Sequence, residues 1–437
     1  MFTPHPDIHI IDHLAPEDNA MLQALYSRSN AGVRAHLERV KQAGSGKFME
    51  SFYIGYGHES IGDCGSTTLF FEGVSLLAAK AIQDWPLYSG QETSTRYLDM
   101  SQQPIIDPIG TPRSRAILDR WMLFYTRHQR AVRAHVARTY PQQPGEDTKI
   151  YEKAVRARTF DILRGFLPAG ITTQLSWHTN LRQAAKKLRL LSCHPSTEMQ
   201  TIARVADAQL HERYPHSFLE LEDRRLVRES YQSTYAHDFL TEDRENHVAA
   251  RSTIENEDLA RYTQLLTERP PKTELPHWLL ELGQLQFSFL LDFGSFRDIQ
   301  RHRHGTCRMP LLTIEHGFHP WYLDQLPDDV RRDAEELIET QIDEIRTACP
   351  SEDPIHTQYY VALGFGVPCR VTYGLPAAVY TIELRSMRVV HPTLRRVALA
   401  MAGAVRRLHP LVTLNVDRSP DDWDARTAHW PRLTCPV

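Results

Sequence analysis

The chain has 437 residues, of which 41% are hydrophobic and 24% charged, as in an ordinary folded protein rather than a mainly disordered one. The 50 basic and 54 acidic residues give a formal charge of −4, which disfavours a protein that coats nucleic acid. The sequence shows neither a membrane-spanning apolar run nor the order of a signal peptide. We therefore expect a cytoplasmic protein that does not enter a membrane.

Helical patterns outnumber strand patterns along the chain. Apolar residues at helical spacing predict helices over 113–139, 149–166, 196–213, 326–347 and 393–408. Shorter β-rich runs predict strands over 67–72, 286–291 and 369–373. This mixture is typical of an α+β fold with a majority of helices.

A polar, highly charged stretch divides the sequence near its middle. It predicts a linker over 223–245, flanked by domains over 1–222 and 246–437. The two halves carry the same order of apolar segment, helix, polar motif, long charged helix, Pro-containing turn and final helix. We therefore predict a divergent internal duplication.

The segment QETSTRY, residues 91–97, is a candidate phosphate site. Alternation would point Ser94 and Arg96 to one face if the segment were extended. A guanidinium beside hydroxyl groups suits a phosphate dianion because it offers paired donors and a permanent charge. The alternative is a solvated loop with a surface arginine.

A second candidate is the run Arg301, His302, Arg303 and His304, which ends an apolar segment. A pyrophosphate or an anionic ring would offset the repulsion among these groups. A surface patch, a nucleic-acid contact and a metal site formed with His316 and His319 are alternatives. The flanking arginines and the lack of a C-x-x-C or H-E-x-x-H pattern argue against a metal.

Other polar residues are less informative on their own. The segment GHESIGD, residues 57–63, is compatible with a hydrogen-bonded turn or with a site wall. Arginines within helices are usually surface groups, and this alternative stands for Arg164, Arg182 and Arg385.

Together these segments resemble the flavin-dependent thymidylate synthases, the ThyX-like family, whose signature joins an RHR triplet to a Q/E-x-S-x-R-Y segment. In the first half GHESIGDC, LFFEGVS and QETSTRY follow in the family's order, but Asp84-Trp85-Pro86 stands where RHR is expected. In the second half Arg301-His302-Arg303 is intact, but Met309-Pro310-Leu311-Leu312 replaces S-x-R-Y.

The family's later segments are also recognisable. Arg164 precedes Leu167-Pro168, and Asn180-Leu181-Arg182 follows. In the second half Val367-Pro368 and Glu383-Leu384-Arg385 match more loosely, and Gly364 stands where an arginine is expected.

The resemblance implies two tandem ThyX-like domains, each a small β-sheet packed with helices and related by a pseudo-twofold axis. It implies FAD as cofactor, NADPH and methylenetetrahydrofolate as co-substrates, and C5 methylation of a pyrimidine nucleotide, most simply dUMP to dTMP. In such proteins the flavin carries the hydride, so no catalytic side chain is assigned. Family members are tetramers, so a homodimer of this chain would rebuild a four-domain assembly.

The two halves have lost complementary pieces, which predicts one composite site between them. The resemblance assigns the nucleotide to Gln91, Glu92, Ser94, Arg96, Tyr97 and Arg164. It assigns the flavin to Arg301, His302, Arg303, Asn180, Arg182, Arg385 and His391. A catalytically divergent or non-catalytic nucleotide-binding protein is the alternative function.

Overall fold

The structure, a computed structural model, describes residues 8–219, 225–235 and 248–419. Its α-helices are α1 Pro16–Tyr26, α2 Val33–Ala43, α3 Gly46–Phe48, α4 Glu59–Gly62, α5 Leu76–Gln83, α6 Pro112–Thr139, α7 Thr148–Leu163, α8 Leu181–Ser192, α9 Thr197–Arg213, α10 Arg225–Tyr235, α11 Asn256–Ala260, α12 Thr263–Thr267, α13 Phe293–Ile299, α14 Pro320–Asp324, α15 Asp328–Ala348, α16 Pro354–Thr357, α17 Leu375–Arg385 and α18 Pro392–Leu408. Its strands are β1 Ser66–Ser75, β2 Thr172–Asn180, β3 Ala249–Ser252, β4 Gln284–Asp292, β5 Gly305–Arg308 and β6 Gly366–Gly374. A π-helix spans Met49–Gly55, and 3₁₀ turns span Arg164–Phe166, His277–Leu282 and Gln358–Tyr360.

The prediction of an α+β fold is confirmed. The predicted helices correspond to α6, α7 with its following 3₁₀ turn, α9, α15 and α18. The predicted strands lie within β1, β4 and β6. No helix in the described part of the chain is long and apolar enough to span a bilayer.

The chain forms two compact units, each assembled from separate stretches of sequence. The first unit contains the described residues of Met1–Glu72, Ala81–Glu92 and Gln174–Tyr231. The second unit contains those of Gly73–Lys80, Thr93–Thr173 and Gln232–Val437. The domains 1–222 and 246–437 stay a prediction. Within the predicted linker, residues 225–235 form α10 and the others lie outside the described ranges.

A four-stranded antiparallel sheet in the second unit has the order β3-β4-β6-β5. Alternation along β4 buries Leu285, Phe287, Phe289 and Leu291, since successive side chains of a strand point to opposite faces. Strand β4 leads directly into α13, whose N-cap is Asp292. The sheet therefore fixes the start of the helix that precedes the RHR triplet.

The order of elements recurs along the chain. The first series is β1, α5, α6, α7 with its 3₁₀ turn, β2, α8 and α9. The second series is β4, α13, α15, α16 with its 3₁₀ turn, β6, α17 and α18. The recurrence supports the predicted duplication, while the pseudo-twofold relation of the two halves stays a prediction.

Two equivalent segments, 164–170 and 358–364, pair with each other inside the second unit. Ala169 N donates to Val361 O at 2.9 Å, and Leu363 N donates to Leu167 O at 2.9 Å. Likewise Gly170 N donates to Tyr359 O at 2.9 Å, and Gly364 N to Gly165 O at 2.8 Å. Each bond is repeated with the two segments exchanged, as expected for a local twofold arrangement.

Replacing Gly364 by alanine should destabilise the second unit. The added Cβ would meet the ring of Phe318 and lie 2.9 Å from Gly165 O. Overpacking of this kind costs about 1–3 kcal/mol. Denaturant-induced unfolding of the full chain measures the loss.

The matched control is Gly403→Ala within α18, where an added Cβ meets only the end of Arg407 at 3.6 Å. Alanine is favoured over glycine inside a helix by up to about 1 kcal/mol, so this variant should be slightly more stable. Equal stability of Gly364→Ala and the unmodified chain would contradict the close pairing of the two segments.

Candidate functional site

Arg96 is bound by an aspartate from the end of α7. Its Nε and Nη2 donate to the two carboxylate oxygens of Asp161 at 2.6 and 2.8 Å, and its Nη1 donates to Val389 O at 3.1 Å. The Arg96 side chain is 18% exposed and that of Asp161 9%. Burial disfavours the charged guanidinium, but the Asp161 carboxylate outweighs it and raises the pKa of Arg96. Arg96 is thus a fixed cation with a limited open face.

The backbone around Arg96 is a turn, so the extended conformation that would point Ser94 and Arg96 to one face is not present. Tyr97 N and Leu98 N both donate to Ser94 O, at 3.3 and 3.2 Å. Ser94 Oγ accepts a further bond from Arg96 N at 3.3 Å. The serine hydroxyl competes locally for backbone donors, which favours a turn over a strand. The ring of Tyr97 is exposed and lies 5.7 Å from the Arg96 guanidinium.

Arg164 lies beneath the surface, in the 3₁₀ turn after α7. It is 1% exposed, and its Nη2 donates to Ser295 Oγ at 2.9 Å. Its Nη1 lies 3.7 Å from Asp298, while its buried Nε has no hydrogen-bond partner among the described residues. A buried guanidinium with an unpaired N–H is costly, so this donor is a candidate for a ligand or water. Arg164 is therefore a buried, supporting cation rather than an exposed one.

Asp298, at the end of α13, is the acid shared by the arginines. Its carboxylate lies 3.7 Å from Arg164 Nη1 and 3.8 Å from Arg301 Nη2, and its backbone oxygen accepts from Arg385 Nη2 at 2.6 Å. Burial raises the pKa of a carboxyl group, but these arginines and Arg96 outweigh it and lower the pKa of Asp298 to about 2. Asp298 is therefore ionised at neutral pH and reduces the repulsion among the guanidinium groups.

His391 joins residues from both halves of the sequence. It is fully buried at the N-cap of α18, and its Nε2 donates to the backbone oxygen of Asp161 at 3.3 Å. Its Nδ1 lies 2.8 Å from Thr393 Oγ1 and 3.3 Å from Ser295 Oγ. Burial and the nearby arginines lower the pKa of His391, so the ring is neutral. Its position predicts a supporting role beneath the site.

The two arginines and the histidine of the RHR triplet differ in their exposure and in their hydrogen-bond partners. Arg301 is exposed on the side of Asp298, while Arg303 is partly buried and donates to Arg301 O at 3.2 Å. His302 is partly buried and accepts a bond at Nε2 from Arg385 Nε at 2.7 Å. The end of α17 thus supports the triplet.

The other predicted site residues lie in the first unit. Glu92 accepts from Gln83 Nε2 at 2.6 Å, and Gln91 N donates to Ser176 Oγ at 3.3 Å. The amide oxygen of Asn180 caps α8 by accepting from the backbone N–H of Gln183. Arg182 forms ion pairs with Asp63 at 2.5 Å and Glu59 at 3.6 Å. Their assignment to nucleotide or flavin stays a prediction.

Two of the expected repeat matches are wrong in register. Asn180-Leu181-Arg182 begins α8, whereas Glu383-Leu384-Arg385 ends α17, so these tripeptides are not equivalent. Pro368 lies inside β6, and the 3₁₀ turn equivalent to that of Arg164 begins at Gln358. Gln358, not Gly364, therefore stands where the arginine is expected.

The histidines do not assemble a metal site in the described ranges. No group of three or more His, Cys, Asp or Glu side chains there is arranged to hold a metal ion. His319 instead caps α14 by accepting from Trp321 N at 3.2 Å.

Sequence reasoning missed the two acids of the cluster. Asp161 precedes Arg164, and Asp298 precedes Arg301, by three residues at the end of a helix. Such spacing usually marks an exposed helical ion pair of little energetic value. The repetition of the same D-x-x-R spacing before both candidate arginines is the signal that could have found them.

The comparisons with known proteins support the resemblance. Residues 9–216 match the sequence model of the thymidylate synthase complementing proteins. This match, which spans just under half of the chain, confirms the resemblance to the ThyX-like family drawn from its motifs.

Three relatives extend the likeness across the whole chain. A UPF0159 protein of Chlamydia pneumoniae is 24% identical over 93% of this chain and 91% of its own length. One from Chlamydia muridarum is 26% identical over 88% and 87%, and one from Thermoplasma acidophilum is 24% identical over 90% and 93%. Each of these relatives is matched over most of its own length and most of the present chain.

Replacing Asp298 by asparagine should remove the part of the free energy of unfolding that depends on this carboxylate and is lost in acid. The folded pKa of Asp298, about 2, lies below its ordinary 3.8, so its stabilisation is present above about pH 4 and is lost as the pH falls towards about 2. The variant should lose about 2 kcal/mol at neutral pH and lack this acid-dependent step. Unfolding free energies measured across this pH range test the effect.

Asp343→Asn, at an exposed position of α15, is the control and should leave the pH profile unchanged. Identical profiles for Asp298→Asn and the unmodified chain would show that the arginines do not depend on this carboxylate.

Proposed function

We propose that this chain performs flavin-dependent C5 methylation, or a related one-carbon transfer, on a pyrimidine nucleotide, most simply dUMP. The reaction takes place at one composite site to which both halves of the sequence contribute. The observation that carries the proposal is the cluster in the second unit. Its first-half members are Arg96, Asp161 and Arg164, and its second-half members are Asp298, Arg301, His302, Arg385 and His391.

The charge balance of this cluster supports an anionic ligand. Its guanidinium groups outnumber its carboxylates, and both histidines are neutral because burial and nearby arginines lower each pKa. A nucleotide phosphate would offset the excess positive charge and accept paired guanidinium hydrogen bonds. Arg96 and Arg301 are the members we assign to direct contact, since both have open surface.

The residues present also fit FAD. Arginines suit its pyrophosphate, and a cavity of about 270 Å³ beside His302, lined by Tyr373 and Tyr380, suits a planar ring. The cavity is at the low end for ligand sites, so it accommodates one ring system rather than a whole dinucleotide. FAD, when bound, supplies the hydride chemistry, while the chain binds and orients the reactants. NADPH and methylenetetrahydrofolate are the proposed co-substrates.

The counterpart of the RHR triplet in the first half supports a single site per chain. Asp84 lies eight residues after Leu76, the first residue of α5, and Arg301 lies eight residues after Phe293, the first residue of α13. In the first unit Lys187 Nζ donates to Asp84 O at 2.9 Å, and Trp85 Nε1 donates to Gln183 Oε1 at 3.1 Å. These bonds tie the Asp84 backbone and the Trp85 side chain to α8 within the first unit, so we assign no second flavin site to this segment. A homodimer of the chain would restore the four-domain assembly of the family.

A nucleotide-binding protein without flavin chemistry is the second candidate. It is favoured by the small volume of the cavity beside His302, about 270 Å³, which is too small for a whole dinucleotide. Flavin absorbance of the purified chain after addition of FAD separates the two candidates. A chain that binds dUMP in calorimetry but gains no flavin spectrum would support the second.

Arg96→Ala should weaken dUMP binding more than FAD binding, and Arg301→Ala should do the reverse. Loss of one charge-assisted contact corresponds to about 10- to 100-fold in affinity. Arg96→Lys should also bind dUMP poorly, since lysine cannot reproduce the paired contact with Asp161 that fixes the cation. Calorimetric titration of each variant with each ligand gives the comparison.

Arg331→Ala is the matched control, because Arg331 is an exposed arginine of α15 that pairs with Asp324 and Glu335. It should bind both ligands as the unmodified chain does. Equal loss of dUMP and FAD in Arg96→Ala and Arg301→Ala, with unchanged folding, would refute the division of roles.

A further inference from the structure

The hydrogen bond between Arg385 and His302 determines which ring nitrogen carries the proton. Arg385 Nε can only donate a hydrogen bond, and it lies 2.7 Å from His302 Nε2. Nε2 must therefore accept, so the proton of the neutral ring resides on Nδ1. No hydrogen-bond partner for Nδ1 occurs among the described residues.

His302 stays neutral over the physiological range. Burial and then the Arg385 guanidinium lower the pKa of His302 to about 3. Arg385 is itself held in place, since its Nη2 donates to the backbone oxygen of Asp298 at 2.6 Å. The ring orientation is fixed further by Tyr380, whose ring meets that of His302 edge-on at 6.0 Å.

His302 is part of the wall of the cavity of about 270 Å³. Most of the wall is apolar or aromatic, with contributions from Leu280, Tyr373, Pro376 and Tyr380. Such a wall suits a flat, uncharged ring, and a single fixed N–H donor at its edge selects a ring with an acceptor atom.

We propose that Arg385 is a positioning residue that holds His302 as an Nδ1–H donor to a carbonyl oxygen of an uncharged heterocycle in this cavity. A pyrimidine base and a flavin ring share this chemistry. The proposal rests on the proposed function for the identity of the ligand, whereas the proton position of His302 is independent of it.

Other charged and titratable groups surround His302, and they still act on its pKa in a chain from which Arg385 has been removed. They are Asp298 on α13, Arg301 and Arg303 beside it in sequence, Tyr373 on β6, Tyr380 on α17, and Glu274, His277 and His304 around the cavity. Among these, Arg301 and Arg303 disfavour the imidazolium and Asp298 favours it. Removal of Arg385 should therefore raise the pKa of His302 towards its ordinary value.

The first test is nitrogen NMR of the full chain labelled at histidine, with the His302 signals identified by their loss in His302→Gln. The unmodified chain should show one Nδ1–H tautomer, unchanged between about pH 5 and 8. In Arg385→Met the signals should titrate and report mixed tautomers. Arg385→Lys, which keeps a donor, should restore the single tautomer at least in part. A His302 that titrates in the unmodified chain would overturn the proposal.

The second test is calorimetric binding of two uncharged probes, deoxyuridine and riboflavin, which separates the pyrimidine and flavin sources. One of them should bind the unmodified chain with the same affinity from about pH 5 to 8. In Arg385→Met that affinity should be weaker at the upper end, by about twofold for an equal mixture of tautomers, because only rings that keep the Nδ1 proton can donate. It should recover at the lower end, where both ring nitrogens are protonated.

The control is Arg388→Met, which removes an arginine three residues along that pairs with Asp417. It should leave both the tautomer and the pH profile unchanged. Binding of deoxyuridine or riboflavin with the same pH profile in Arg385→Met and the unmodified chain would overturn the positioning role alone. Failure of both dUMP and FAD to bind the unmodified chain would overturn the proposed function and, with it, the ligand of His302.

Discussion

The carboxylate of Asp298 is the group on which the second unit's arginine cluster depends. Arg96, Arg164, Arg301 and Arg385 all act on it electrostatically, and together they lower its pKa to about 2 despite its burial. Guanidinium groups gathered in a partly buried site repel one another unless a carboxylate or a ligand intervenes. Asp298, together with Asp161 beside Arg96, allows these arginines to coexist and still leaves an excess of positive charge. That excess is what makes the cluster suited to an anionic nucleotide.

The support beneath the cluster explains why residues distant in sequence meet there. Strand β4 ends at Asp292, which accepts from Ser295 N at 2.9 Å and from the hydroxyl of Tyr322 at 2.8 Å. Ser295 then accepts from Arg164, and His391 completes the connection to Asp161. Buried polar groups of this kind are costly unless they are satisfied, so the network fixes one arrangement of the helix ends.

Much of the fold was predictable because its long helices and central strands carry strong periodic patterns. The motifs also contain residues that lie together in the cluster, while their roles towards a ligand stay predictions. Ser94 and Arg96 lie in a turn because a hydroxyl acts on the nearby backbone, and Arg164 is buried although a helical arginine is usually exposed. Asp161 and Asp298 were not predicted, because the D-x-x-R spacing is the same for a surface ion pair and for an acid that pairs with arginines distant in sequence.

The predicted duplication changes how the chain length is interpreted. Two copies of the strand-and-helix series recur, yet only one copy keeps the RHR triplet and only the other keeps S-x-R-Y. The reciprocal bonds between segments 164–170 and 358–364 join the two copies inside one unit. In this account, divergence has removed redundant residues from each copy and left one complete set.

The stoichiometry of dUMP binding to the full chain tests this account most directly. Calorimetric titration at low salt, with FAD present in excess, counts the sites per chain. The composite site predicts one dUMP per chain. Two dUMP molecules per chain, or none, would contradict it.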